Sequence, residues 1–214
     1  MKPEKNVVPA ILTDKKEELI DMANNCSKFC DYLQIDVMDG KFVPSKSISV
    51  ADLKNIRFPV KSEAHLMVTN PLEWVEAFKN AGAHRIIYHF EIQDQHLRII
   101  DKIKKQNLEV GLAINPSTRI NDFSFLVDKL DSVLFMSVIP GFYGSKFIPE
   151  VLDKIKEFKK IYPSKCAGID GGVKADNVST IAQSGVDYVC VGSAILRATN
   201  PKDAYLKIKG SLNE

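Results

Sequence analysis

The sequence predicts an α/β protein built as a single (β/α)8 barrel. Eight short apolar runs alternate with eight longer amphipathic runs, and 214 residues hold eight such units with little left over. The strands are expected at 7–11, 32–37, 61–67, 85–89, 109–114, 132–138, 166–170 and 187–191. Each is four to eight residues long and rich in branched or aromatic side chains. Helices are expected near 15–29, 48–55, 71–81, 95–106, 120–129, 147–160, 174–184 and 201–210. Asn70-Pro71 and Asn200-Pro201 read as helix starts, with Pro at the first helical position after a capping Asn. The glycines of "NAGAH" and "QSGVD" read as helix ends. A doubly wound open sheet would carry fewer strands or a longer chain. No linker and no shift of composition interrupts the pattern, so residues 1–214 are read as one domain.

Composition narrows the function. The chain is 45% hydrophobic and 26% charged, with 29 basic against 27 acidic residues and a net charge of +2. That balance gives no footprint for nucleic acid or a membrane surface. The basic stretch "KIKEFKKIYPSK" has helical spacing, with Ile155 and Phe158 on its apolar side, and reads as a solvated helix face. Cys26, Cys30, Cys166 and Cys190 form no C-x-x-C and read as buried free thiols. "MKPEKNVVPA" lacks an apolar signal core and no run reaches transmembrane length, so a cytoplasmic location is expected.

In a barrel, polar groups at the strand C-terminal ends face the active-site mouth. In "YLQIDVMDG", Gln34 and Asp36 alternate with Leu33, Ile35 and Val37 and so share one face. Glu63, His65 and Met67 share a face on the third strand, as do Gly168 and Asp170 on the seventh. An acid among branched apolar residues is costly to bury without a partner, so acids and a His converging from three strands point to chemistry. Glu63, one step deeper than His65, is expected to orient that ring. His89 ends the fourth strand and is read equally as a structural or a site residue. Asp39 is expected to hold the turn at Gly40. Two glycine turns, "IDGGV" after strand seven and "VGSAI" after strand eight, suit an anion, because barrels commonly bind phosphate there with backbone N–H groups. A third loop, "PGFYGSKF", follows strand six and could close over a ligand.

These segments together carry a resemblance. "PAIL" at 9–12, "IDVMDGKFVP" at 35–44, "AHLMVTNP" at 64–71, "MSVIPGFYGSKFIPEVLDKI" at 136–155, "IDGGV" and "VGSAI" are similar to the ribulose-phosphate 3-epimerase family, over about residues 7–208. The resemblance implies a barrel that interconverts D-ribulose 5-phosphate and D-xylulose 5-phosphate through an enediolate. It implies Asp36 and Asp170 as the catalytic acid and base on opposite faces of C3. It implies a divalent metal (Zn, Mn or Fe) held by Asp36, His65, Asp170 and the residue at position 34. It places substrate or phosphate contacts at His65, Gly141, Phe142, Tyr143, Gly144, Asp170, Gly171, Gly172, Gly192 and Ser193, and puts Met38, Met67 and Met136 over the reactive end of the sugar.

Three positions depart from the family pattern. Gln34 stands where the family has a second His ligand, so metal binding is expected to be weakened or absent; an amide could instead donate a hydrogen bond to the enediolate. Ala10 replaces a Ser, and Tyr143 replaces a Gly. The alternatives are an epimerase for a six-carbon ketose phosphate such as D-allulose 6-phosphate, and a barrel that binds a sugar phosphate without turning it over. Aldol or decarboxylation chemistry would use a Lys at a strand end; Lys61 lies at the wrong end of its strand. The expected partner is a small sugar phosphate, and association into a homo-oligomer is open.

Overall fold

The computed structural model describes residues 5–141 and 146–214. Eight parallel strands close on themselves in chain order: β1 (Asn6–Ile11), β2 (Tyr32–Met38), β3 (Lys61–Met67), β4 (Arg85–His89), β5 (Glu109–Ile114), β6 (Ser132–Met136), β7 (Cys166–Asp170) and β8 (Tyr188–Val191), with β8 returning to β1. All eight expected strands are present. β6 stops at Met136 instead of running to 138, because Ser137 turns aside to bond the last residue of β7 and the one after it.

Strand alternation sorts the apolar residues into two cores. Val8, Ala10, Ile87, Ala113, Leu134, Met136, Tyr188 and Cys190 fill the barrel interior. The alternate residues of the strands, including Val7, Leu33, Ile35, Leu66, Ile86, Leu112, Phe135, Ile169 and Val189, point outward under the helices. These are α1 (Lys16–Cys26), α2 (Leu72–Ala81), α3 (His96–Lys104), α4 (Ile120–Phe123), α5 (Val151–Ile161), α6 (Val178–Ala182), α7 (Ser193–Leu196) and α8 (Pro201–Asn213). Leu19, Phe78, Ile103 and Phe158 are the fully buried keys of α1, α2, α3 and α5.

The expected helix at 48–55 is only a single 3-10 turn, Ala51–Leu53. The Asp52 carboxylate accepts bonds from the Ser49 N–H and hydroxyl, which starts a turn, and Asn55 at φ 65° ends it at once. Ile48, Leu53 and Ile56 still bury, so the slot is filled without a helix. Residues 120–129 likewise divide into α4 and a 3-10 stretch, Ser124–Lys129. Asn200 caps α8 through a bond from the Asp203 N–H. Asn70 does not cap α2; its amide bonds Glu73 instead, and the chain enters the helix through Pro71. Gly82 ends α2 at φ 88°, as its residue type predicts.

Candidate active site

Register brings the site together. In the β2–β3 pairing Asp36 lies beside His65 and Gln34 beside Glu63; in β1–β2 Ala10 lies beside Gln34; in β7–β8 Asp170 lies beside Cys190. All these side chains point into the barrel, so acids 134 positions apart in sequence face one another. Gln34 Nε2 donates to Asp36 Oδ1 and to Asp170 Oδ2, each at 2.8 Å. The same two oxygens face His65 Nδ1, at 2.9 Å and 3.3 Å. The carboxylates are thus pinned from two sides by an imidazole and an amide. Each acid is 13% exposed and lines the cavity at the mouth of the barrel, whereas His65 and Gln34 are fully buried.

Burial, helped by the neighbouring charge of Asp170, pushes the Asp36 carboxyl up, against the pull of His65 and Gln34. Burial alone would push His65 down, but its bonds to Asp170 and Asp36 outweigh this and raise it to about 10. The two acids therefore favour the imidazolium form of His65. Its other nitrogen, Nε2, lies 2.9 Å from His89 Nε2. Burial, with the charge of His65 beside it, lowers His89 to about 4 and keeps it neutral. A neutral His89 can accept the Nε2–H of His65 only if its own proton sits on Nδ1, which faces Glu91 Oε2 at 3.3 Å. Glu91 is fixed in turn by the Asn115 N–H at 2.7 Å and the Thr118 hydroxyl. His89 therefore backs His65 from behind, without lining the cavity. Its inward parity in "RIIYH" was the available signal.

Glu63 does not orient His65. It sits one layer deeper, where Arg85 Nη1 lies 3.1 Å from Glu63 Oε2 and the Tyr32 hydroxyl 3.3 Å from the same oxygen. Side chains two apart on a strand belong to successive layers of the barrel, and the guanidinium in the lower layer is a stronger partner than an imidazole above it. Asp39 does hold its loop: its carboxylate accepts from the Lys41 and Phe42 N–H groups and from the Thr69 N–H and hydroxyl, tying the ends of β2 and β3 together.

A cavity of about 780 Å³ opens over the acids. Met38, Met67 and Met136 line its walls, together with Ala10 and Gly141. Gly171, Gly172, Gly192 and Ser193 line it beyond the ends of β7 and β8, where Lys174 and Arg197 add positive charge that the motifs alone did not single out. Gly171 adopts φ 110° with Val138 packed against it, a conformation and a closeness that suit only glycine. The Ser137 hydroxyl, on the carbonyls of Asp170 and Gly171 at 2.9 and 2.6 Å, fixes this turn. Phe142, Tyr143 and Gly144 lie outside the described residues.

Asp36, His65 and Asp170 could hold a metal ion, with one ligand atom from each and all three atoms within 4.8 Å of one another. Two carboxylates and an imidazole that has given up its Nδ1 proton suit a divalent cation. Gln34 does not complete the set as it stands. It presents nitrogen to the acids, and an amide nitrogen has no lone pair to give; its oxygen faces the Cys190 thiol at 3.0 Å.

Comparison with known proteins gives the chain a family. The sequence profile of the ribulose-phosphate 3 epimerase family matches residues 6–196. Ribulose-phosphate 3-epimerase of Bacillus subtilis is 35% identical, covering 96% of this chain and 98% of that protein. The enzyme of the same name from Mycobacterium leprae is 32% identical, covering 95% and 93%. Among solved structures, 3-hexulose-6-phosphate synthase from Salmonella typhimurium superposes with a TM-score of 0.72 over 97% of this chain and 98% of that one, at 19% identity, which is a likeness of fold.

Proposed function

The chain belongs to the ribulose-phosphate 3 epimerase family, and from that premise we propose that it inverts C3 of a ketose phosphate, D-ribulose 5-phosphate in the first place, to give D-xylulose 5-phosphate. The observation that carries the reading is the pair Asp36 and Asp170, held apart by two donors and open to one cavity. Inverting a carbon beside a carbonyl needs a base on one face and an acid on the other. One aspartate, ionised, takes the C3 proton; the electron pair moves into the C2 carbonyl to form the enediolate. The other aspartate, protonated, gives its proton to C3 from the opposite face. The two have then exchanged states, and the reverse reaction runs with the roles swapped.

The surroundings supply what this needs. Burial favours the protonated form of Asp36, while the N–H groups of His65 and Gln34 favour its ionised form, so that carboxyl is poised between the two states the exchange needs. Met38, Met67 and Met136 keep water from the enediolate with side chains that adapt to either epimer. The glycine turns at Gly171-Gly172 and Gly192-Ser193, with Lys174 and Arg197, receive the phosphate. A divalent ion bound by Asp36, His65 and Asp170 would supply positive charge to the enediolate oxygens. A six-carbon ketose phosphate is the second reading, favoured by the methyl of Ala10 on the cavity wall, which leaves room a longer sugar could use.

The test is proton exchange at C3 of D-ribulose 5-phosphate in D₂O, followed by NMR. Deuterium at C3 together with xylulose 5-phosphate is the expected outcome, lost in Asp170→Asn. Absence of exchange under every metal condition, with exchange on a hexulose phosphate, would transfer the activity to the longer sugar.

A further inference from the structure

Cys190 is a buried thiol on the wall of the catalytic cavity, and the two-aspartate mechanism does not use it. Its Sγ lies 3.0 Å from Gln34 Oε1 and 3.9 Å from Glu63 Oε1. Burial, with the charges of Asp170 and Glu63 nearby, keeps it a thiol, so it has a proton to donate, and the nearer acceptor is the amide oxygen. The opposite orientation of that amide would set Oε1 at 2.8 Å from two carboxylate oxygens with at most one proton between them, and its NH₂ against a thiol sulfur that is only a weak acceptor. The thiol and the two acids therefore select the same orientation.

We propose that Cys190 is a positioning residue that latches Gln34 as a hydrogen-bond donor to both acids, and that this latched amide, in the place where a ligand would stand, lets the chain work without a divalent ion. The inference rests on the epimerase reading for its kinetic arm only. Two like charges in one buried site repel unless something positive lies between them. Here the protein's own N–H groups, one from Gln34 and one from His65, already occupy that position and meet the oxygens that would otherwise turn to a metal. A metal entering the site has to displace both sets of bonds, and the latch denies it the amide oxygen as a fourth ligand.

The test compares wild type, Cys190→Ala, Cys190→Ser and Gln34→His as full-length proteins. One arm is calorimetric titration with Mn²⁺. The other is C3 exchange of D-ribulose 5-phosphate in D₂O with and without EDTA. Wild type should exchange equally in EDTA. Cys190→Ala removes one of the two holds on the amide, and an entering Mn²⁺ that takes the acids removes the other; kcat should fall about tenfold with KM unchanged, and Mn²⁺ should bind about tenfold more tightly. Cys190→Ser keeps a donor and should restore both values, which loss of packing alone would not do. Gln34→His should bind Mn²⁺ more tightly than wild type, and its exchange should become sensitive to EDTA. Exchange by wild type that EDTA abolishes, or a Cys190→Ala protein with the Mn²⁺ affinity of wild type, overturns the proposal. If wild type exchanges nothing on D-ribulose 5-phosphate under any condition, the epimerase reading fails, and the Mn²⁺ affinities still decide the latch.

Discussion

The barrel interior holds two buried clusters of charge, one above the other, and they are solved differently. In the lower one Arg85 lies between Glu63, which is fully buried, and Glu109 at the rim, at 3.1 and 2.6 Å. Tyr32 donates to Glu63, and the guanidinium lies 5.8 Å from the centre of the Tyr188 ring. Gly168 has no Cβ there because the ring of Tyr188 occupies the space. Every charge in this layer has a protein partner. In the upper cluster two acids share an imidazolium and an amide on one side and face the cavity on the other. A buried ion pair closed by its own partners fixes a structure. A buried pair left open toward a cavity is available to a ligand.

The contrast can be broken most decisively from above. Asp170→Asn removes one of two crowded acids; kcat should fall by about a thousandfold, the scale of a lost general acid or base, while the urea midpoint stays level or rises. A loss of stability instead would make the upper layer structural. The lower layer should behave in the opposite sense. Arg85→Met leaves Glu63 buried without its cation and should cost about 3–5 kcal/mol in urea unfolding, while the folded fraction retains its kcat. The pair Glu63→Leu with Arg85→Met should recover much of that loss. Gly168→Ala forces a methyl into the Tyr188 ring and should cost about 1–3 kcal/mol, again with little change in turnover.

The smallest effect is one of pH, and the two layers have opposite signs. His89 has its folded value lowered from 6.5 to about 4. The unfolded chain binds the extra proton in that window, so this contribution is whole above 6.5 and is lost as pH falls through about 4. Glu63 has its folded value raised from 4.5 to about 7, so its contribution is whole below 4.5 and is lost as pH rises through about 7. Unfolding curves at several pH values should therefore show wild type losing ground to His89→Gln on acidification and losing ground to Glu63→Gln on neutralisation. A gap that does not change with pH in either pair would remove that residue from the comparison.

Much of this was legible in the chain. Alternation within "YLQIDV", "KSEAHLM" and "CAGID" places Asp36, His65 and Asp170 on inward faces, because the two-residue period of a strand leaves no other choice once the outward set is apolar. Glycines after strands seven and eight signal the turns that the chain makes there, at φ 110° and 64° for Gly171 and Gly172. The helix expected at 48–55 failed because its hydrophobic spacing records burial, and burial does not need a helix when an Asp-Ser turn offers the backbone another set of bonds.

The sequence by itself determined the barrel, its two cores and the inward faces that carry Asp36, His65 and Asp170, since period, parity and order along the chain are properties of covalent structure. Tertiary structure alone decided the partnerships. Whether Glu63 would serve His65 or Arg85, which nitrogen of His65 would face the acids, and which way the amide of Gln34 would point are settled by atoms from strands far apart in the sequence. Hydrogen bonds discriminate over tenths of an ångström and tens of degrees, and strand spacing and closure set those distances. A one-dimensional pattern carries the faces of the strands, but not the gaps between them.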